Sequence, residues 1–214
     1  MIELIKIAKP KFDKLLKENS DINYELTTER YLEGVIINNT SLDYINEEKV
    51  EVSRCKFVNV TFNECCFKNI DLLDVIFENC DLSNIDFSDS SIHRVEFKSC
   101  KLTGANFSES NIQDVFFDEV LGNYMNFGYS KMKNTSFNNS NIRGTIFLEC
   151  NFNKISYTKC DLSNSEFTNT ALKNIDLRDN DISEISLIGK ELKDAIVSPI
   201  QAVELARLLG VIIK

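Results

Sequence analysis

The sequence predicts an all-β solenoid, a quadrilateral β-helix of five-residue repeats closed at its C-terminal end by a helical module. Three observations lead there. A large apolar residue recurs at every fifth position, a smaller one precedes it by two, and the other three positions are mostly Asn, Asp, Ser, Lys and Glu. Stepping by five from Leu32 gives Ile37, Leu42, Glu47, Val52, Phe57, Phe62, Phe67, Leu72, Phe77, Leu82 and Phe87, and the series continues in phase to Leu187. Only Glu47 and Gly122 are out of character. Thirteen of the 15 phenylalanines lie on this one phase.

A period of five fits neither regular element. On an α-helix five residues advance the side chain by about 140° beyond a full turn, which smears the phenylalanines around the axis. In an unbroken strand every second one points to the opposite face. The chain must therefore turn once per repeat, with residues i−2 and i inward and a corner at i+1 and i+2. The pairs Ser83-Asn84, Ser88-Asp89 and Thr103-Gly104 have the turn chemistry such corners require. Four sides close a coil of about twenty residues, and coils stack at about 4.8 Å. Residues 30–190 then form about eight coils, a rod on the order of 40 Å long.

The ends differ in kind. Residues 1–29 are expected to form an N-terminal cap. Pro10 and the Phe12, Leu15, Leu16 stripe suggest a short helix over the first coil. Residues 191–214 carry a strong helix signal. Ser198 is the expected N-cap, Pro199 the first helical residue, Gln201 the partner in a capping box and Gly210 the stop. Ala202, Leu205, Ala206 and Leu209 make a stripe, flanked by Val203 and Leu208. That is more apolar surface than one cap buries, so these six residues are the expected dimerisation surface.

Composition narrows the function. The 214 residues carry a net charge of −9, which argues against direct nucleic-acid binding and favours a basic partner surface. No apolar run is long enough for a membrane span and no signal peptide is evident, so a cytoplasmic protein is expected. Of seven cysteines, Cys55, Cys65, Cys80, Cys100, Cys150 and Cys160 occupy the small inward position, and only Cys66 does not. They read as reduced core residues, without the spacing of a zinc site. His93, the one histidine, lies at an outward position without a paired acid or nucleophile motif. No catalytic residue, metal ligand or cofactor motif is evident, and an enzyme is not expected. Gly122 reads as a local bend or a poorly filled rung.

The segments "CDLSN" (80–84 and 160–164), "IDFSD", "ANFSE" and "SNIRG" resemble the pentapeptide-repeat family, whose consensus is A-(D/N)-L-x-x. The similarity spans about three quarters of the chain and implies a right-handed coil. The ending "IVSPIQAVELARLLGVIIK" is similar to that of the Qnr group of quinolone-resistance proteins and the related MfpA type. This resemblance implies a homodimer joined tail to tail and an acidic rod that imitates DNA in the saddle of gyrase or topoisomerase IV, opposing quinolones. Unlike the Gram-negative Qnr pattern, the phase here leaves no room for out-of-frame loops. The alternative is a repeat scaffold, or an immunity protein against a gyrase-targeting toxin.

Repeats twenty residues apart share a side of the coil, so the charge layout can be read directly. The side of Phe67, Phe87, Phe107, Phe127, Phe147 and Phe167 carries Asp86, Asp89, Glu109, Glu149 and Glu166 against Lys68, and is the expected partner-binding face. The next side carries Arg54, Arg94, Lys131, Lys133, Lys154 and Lys173 against Glu51, Asp71, Asp74 and Asp114. Phe116, Leu121 and Tyr124 are outward apolar residues and form a second expected contact.

Overall fold

Within each five-residue step, burial follows the expected alternation. Val75 and Phe77 are buried, Ile76 and Glu78 are partly covered, and Asn79 stands at the corner with φ 53°. The left-handed conformation recurs at position i+2 of successive repeats, through Asn59, Glu64, Asn69, Asp74, Asn79, Asn84 and Asp89. That conformation costs an L-residue about 1–2 kcal/mol, least for Asn and Asp, which explains their abundance there. Bulkier residues hold it too, including Tyr124 and Tyr129, because the next coil fixes the corner amide. The N–H of Asp89 donates to the Ser108 carbonyl at 2.9 Å, that of Glu109 to Gly128 at 2.9 Å and that of Tyr129 to Leu148 at 2.8 Å.

The chain is a parallel β-solenoid; this computed structural model describes residues 5–12, 15–18, 22–208 and 210–212. Two adjoining sides form continuous strands that run through a corner: Asp71–Glu78, Ser91–Lys98, Asn111–Asp118, Lys131–Asn138 and Asn151–Thr158. Their inward small residues, Val75, Val95, Val115, Thr135 and Ile155, are β-branched, as a strand favours. The other two sides meet at tight turns. There the outward Asp or Asn folds back on the backbone, as where Asp81, Asp86 and Asp161 accept the N–H groups of Ser83, Ser88 and Ser163. Register advances by twenty residues from Tyr31 beside Glu51 to Asp176 beside Ile196.

Aromatic columns fill the interior. Phe57, Phe77, Phe97, Phe117, Phe137 and Tyr157 stack with centroids 4.5–5.3 Å apart. A second column, Phe107, Phe127, Phe147 and Phe167, meets the first edge-on at about 6 Å. The small inward position does more than fill space. Ser110 Oγ accepts the Ser90 N–H at 2.9 Å and donates to the Phe87 carbonyl at 3.0 Å, so one hydroxyl satisfies both inward groups of the preceding coil. Ser165 and Asn180 make the same bridge. Cysteine makes the donating half of this bridge, as when the Cys55 and Cys100 thiols reach the Leu32 and Phe77 carbonyls. Where Cys, Ser or Thr occupies this position, its side chain meets backbone groups that would otherwise be buried without partners.

Gly122 is neither a bend nor a void. Met125, at the small inward position of the following repeat, lies where the missing side chain would stand: a Cβ on Gly122 would sit 2.5 Å from Met125 Cε. Large and small have exchanged places within the rung.

The two caps form differently from expectation at one end and as expected at the other. The helix predicted from Pro10 is not found among the described residues: 5–12 and 15–18 have no helical turn, and the N-terminal helical segment described is Ile22–Tyr24 with Glu25–Glu29, which buries Leu26 on the first coil. At the C-terminus the helix Pro199–Leu208 has the predicted capping box, with Ser198 N–H to Gln201 Oε1 at 2.8 Å and Gln201 N–H to Ser198 Oγ at 3.3 Å. Gln201 also donates to the Leu177 and Asn180 carbonyls, sealing the last coil. Gly210, at φ 78°, ends the helix, and Val211 N–H returns to the Ala206 carbonyl. Glu191, 2% exposed, accepts the N–H groups of Asn169, Ile188 and Gly189.

This packing makes two sets of variants informative. Phe107→Asp places an unpaired charge in the core and should cost several kcal/mol in thermal or denaturant unfolding, whereas Glu109→Lys should leave stability nearly unchanged. Equal losses would show the inward phase to be wrong. In the second set, Gly122→Leu and Met125→Ala should each destabilise, while the double variant recovers on the order of 1 kcal/mol relative to additivity. Strict additivity would refute the exchange within the rung.

Candidate functional site

The expected acidic face is intact and largely uncompensated. Asp89, Glu109, Tyr129, Glu149 and Asn169 stand one above another along a single exposed corner. No ion pair among the described residues involves Asp89, Glu109, Glu149 or Glu166. Glu149 accepts a 3.4 Å contact from Asn169, and Glu166 is half-buried on the wall. Asp86 is less free: it holds the Ser88 N–H and Asn106, and faces Lys68 at 3.9 Å. Asp89 and Glu109 are one coil apart, about 4.8 Å, and Glu149 follows two coils on, past Tyr129, so the three carboxylates line one negative edge.

The basic side is narrower than the sequence suggests. Arg54 is paired with Glu33, and Arg94 grips Asp74 at 2.6 and 2.7 Å. Lys131, Lys133 and Lys154 remain without ion pairs among the described residues. The charge is thus distributed as an acidic edge on one side and a group of lysines toward the C-terminal half on another.

The three apolar contact residues do not share a face. Leu121 and Tyr124 are exposed on one tight-turn side, whereas Phe116 is half-buried around the corner on the strand Asn111–Asp118. Phe116 therefore lies on a different side from Leu121 and Tyr124. Tyr129, 55% exposed, stands at the opposite edge of the acidic side. A bulky aromatic at a left-handed corner was the available signal in the sequence. The Tyr124 ring lies over Gly144, where a Cβ would come within 2.6 Å of it.

The C-terminal helix also divides differently. Leu205 is buried against the coil and Ala206 is partly covered, so Leu205 belongs to the cap and not to a partner surface. Ala202, Val203 and Leu208 are exposed, together with Ile200, which the stripe missed; Leu209 lies outside the described residues. Ile188, Val211 and Ile212 extend this apolar end.

The N-terminal segment adds a feature that the sequence did not announce. Residues 5–12 run along the rod, with the Ala8 N–H donating to Asp114 Oδ1 at 3.1 Å and the Lys11 N–H to Asp74 Oδ1 at 2.9 Å. Burial pushes the Asp74 carboxyl up, but Arg94 and the Lys11 N–H outweigh it and hold the group below the usual carboxylate range. Asp114 behaves alike, with the Ala8 N–H, Gln113, Asn134 and His93 outweighing burial.

No group of acidic, cysteine or histidine side chains suited to a metal ion occurs among the described residues. The described cysteines are free thiols. Burial raises the Cys55 thiol to about 11 and also raises Cys65, Cys150 and Cys160, while Cys100 is pushed up by its neighbour Cys80 and by burial. A cavity of about 490 Å³ at the N-terminal end is lined by Phe12, Leu15, Leu16, Lys17, Glu33, Gly34 and Arg54. No helix among the described residues is long and apolar enough to cross a membrane.

Residues 70–147 match the family described as pentapeptide repeat region. No curated protein matches the sequence. Solved structures with the same kind of repeat include HetL, involved in heterocyst differentiation regulation in Nostoc sp. strain PCC 7120. It is 16% identical, with 82% of this chain and 92% of that one covered and a TM-score of 0.43. A trypsin-treated variant of QnrB1, a plasmid-mediated fluoroquinolone resistance protein, is 19% identical over 83% of this chain and 100% of that one, with a TM-score of 0.41. A thylakoid-lumen pentapeptide-repeat protein of Arabidopsis thaliana is 20% identical over 51% and 66%, with a TM-score of 0.20.

The depressed Asp74 and Asp114 carboxyls give a pH prediction for the N-terminal segment of the rod. Arg94 lowers Asp74 whether or not the segment is docked, but the share of the lowering that comes from the Lys11 and Ala8 N–H groups stabilises the docked form above the free carboxyl value of about 3.9 and is lost as pH falls through the docked value. Amide exchange should therefore show Ala8 and Lys11 protected from neutral pH down to about pH 4 and released below it. Release well above that range would mean that the carboxylates are not what holds the segment.

Proposed function

We propose that this chain is a non-enzymatic partner of type II topoisomerases, entering the DNA saddle of gyrase or topoisomerase IV by its acidic edge and opposing quinolone poisoning. The observation that carries this reading is the exposed corner column of Asp89, Glu109 and Glu149, free of cationic partners among the described residues. A surface evolved to bind DNA is basic and elongated, and a rod with one acidic edge meets both requirements. The similarity of the C-terminal ending to the Qnr and MfpA types supports the same partner. The charge spacing is sparser than on duplex DNA, which carries one charge per about 1.7 Å. Mimicry on this reading is one-sided.

The reading includes a homodimer joined through the C-terminal end. Ile200, Val203 and Leu208 are exposed on one short helix, and a C2 pairing of that surface would cover them in both chains. Ile200→Asp with Val203→Asp should convert a dimer to a monomer in light scattering while leaving the melting temperature of the rod nearly unchanged. Leu205→Asp should instead disrupt the cap. A parent protein that is monomeric at micromolar concentration would contradict this assembly.

For the partner, purified protein is added to a gyrase supercoiling assay with and without ciprofloxacin. The parent should protect, Asp89→Lys, Glu109→Lys and Glu149→Lys combined should not, and reversal of Lys131, Lys133 and Lys154 should have much less effect. Equal protection by both triple variants would remove the acidic edge from the account. Absence of any effect on gyrase or topoisomerase IV would favour the scaffold reading.

A further inference from the structure

A corner of the rod is covered by the chain's own N-terminus, and the chemistry of that contact defines a second recognition surface. Asp74 and Asp114 stand at outward corners, yet are only 4% and 7% exposed. Residues 5–12 cross both, and the intervening coil presents Arg94 in the same column and Glu96, 6% exposed, two residues beyond it. Dimensions agree. Ala8 and Lys11 are three residues apart, about 10 Å in an extended chain, and Asp114 and Asp74 are two coils apart, also about 10 Å.

The segment alternates accordingly. Ile5, Ile7, Pro10 and Phe12 are partly covered, whereas Lys6, Lys9 and Lys11 are exposed. The adjoining wall presents Ile76 and Phe116, both half-buried. Recognition rests on backbone N–H groups received by two carboxylates, with apolar residues inward and lysines outward. Nothing in that set is peculiar to residues 5–12 beyond an extended conformation and a basic, alternating sequence.

We propose that the strip of Asp74, Glu96 and Asp114 is a docking site for an extended lysine-rich peptide of a partner protein, occupied in cis by residues 5–12. The cis segment acts as a built-in competitor. Its release uncovers Asp74 and Asp114, with Asp74 still paired to Arg94 and Glu96 to Lys98 at 2.5 Å, on a side of the rod distinct from the Asp89, Glu109, Glu149 edge, so this site stands whether or not a topoisomerase is the partner.

The test uses the full chain. Ala8→Pro with Lys11→Pro removes both N–H donors without shortening the segment. Trypsin should then cut after Lys6 faster than in the parent, with the circular dichroism of the solenoid unchanged. A fluorescein-labelled peptide of sequence IKIAKPKF should bind the double-proline chain saturably in an anisotropy titration. It should bind the parent about tenfold more weakly or worse, because a tethered segment competes at a millimolar effective concentration. Adding Asp74→Asn and Asp114→Asn to the double-proline chain should abolish binding, and in an otherwise unchanged chain the same pair should itself accelerate cleavage after Lys6. Unchanged cleavage in both variants would show that these contacts do not hold the segment and would overturn the proposal. No saturable binding, equal binding to the parent, or binding indifferent to the two Asn substitutions would overturn it as well, the last two placing the peptide elsewhere on the acidic rod.

Discussion

Everything in this molecule depends on the left-handed corner that closes each five-residue step. A residue held at φ near 55° turns the chain, and its amide is received by a carbonyl of the next coil. Without that inter-coil bond the conformation would be costly for Glu109, Glu149 or Tyr129. With it, a corner that is strained alone is stable in the stack. The consequence is a register locked in steps of twenty, which places Phe97 on Phe117 at 4.9 Å and Asp89 beside Glu109 by the same translation.

That translation separates stability from recognition. Positions i−2 and i are committed to the interior, where aromatic stacking and hydroxyl or thiol bridges satisfy both apolar surface and backbone polarity. The outward positions are left free to vary, and a charge repeated at one of them becomes a line along the rod. The acidic edge is such a line. The Asp74, Arg94, Asp114 column is another, but there alternating charge and the N-terminal segment have neutralised and covered it.

The coil was legible because its signal is strictly local and repeated: a large residue every fifth position, a small one two before, and Asn, Asp or Gly at corners. The capping box of Ser198 and Gln201 was legible for the same reason, since both partners lie within one helical turn. What escaped the sequence depends on contacts between distant residues. The packing of residues 5–12 against Asp74 and Asp114 spans 63 and 106 positions, and nothing in the segment's own composition distinguishes a docked strap from a short helix. Leu205 and Ile200 lie on the same helix, and only the position of the last coil decides which of them is covered. Met125 filling the space above Gly122 was closer to the surface of the sequence, as a large residue at a small position beside a missing large one.

The claim that carries most weight is that an uncompensated acidic edge drives association with a basic partner. Equilibrium binding of the protein to gyrase, followed over a series of salt concentrations, tests it most directly. Exposed charges are screened within about 8–10 Å near physiological ionic strength, so affinity and association rate should fall steeply as salt rises. The slope should flatten when Asp89, Glu109 and Glu149 are replaced by neutral residues. Binding that is tight but indifferent to salt, with the same slope in the neutral variant, would contradict the account.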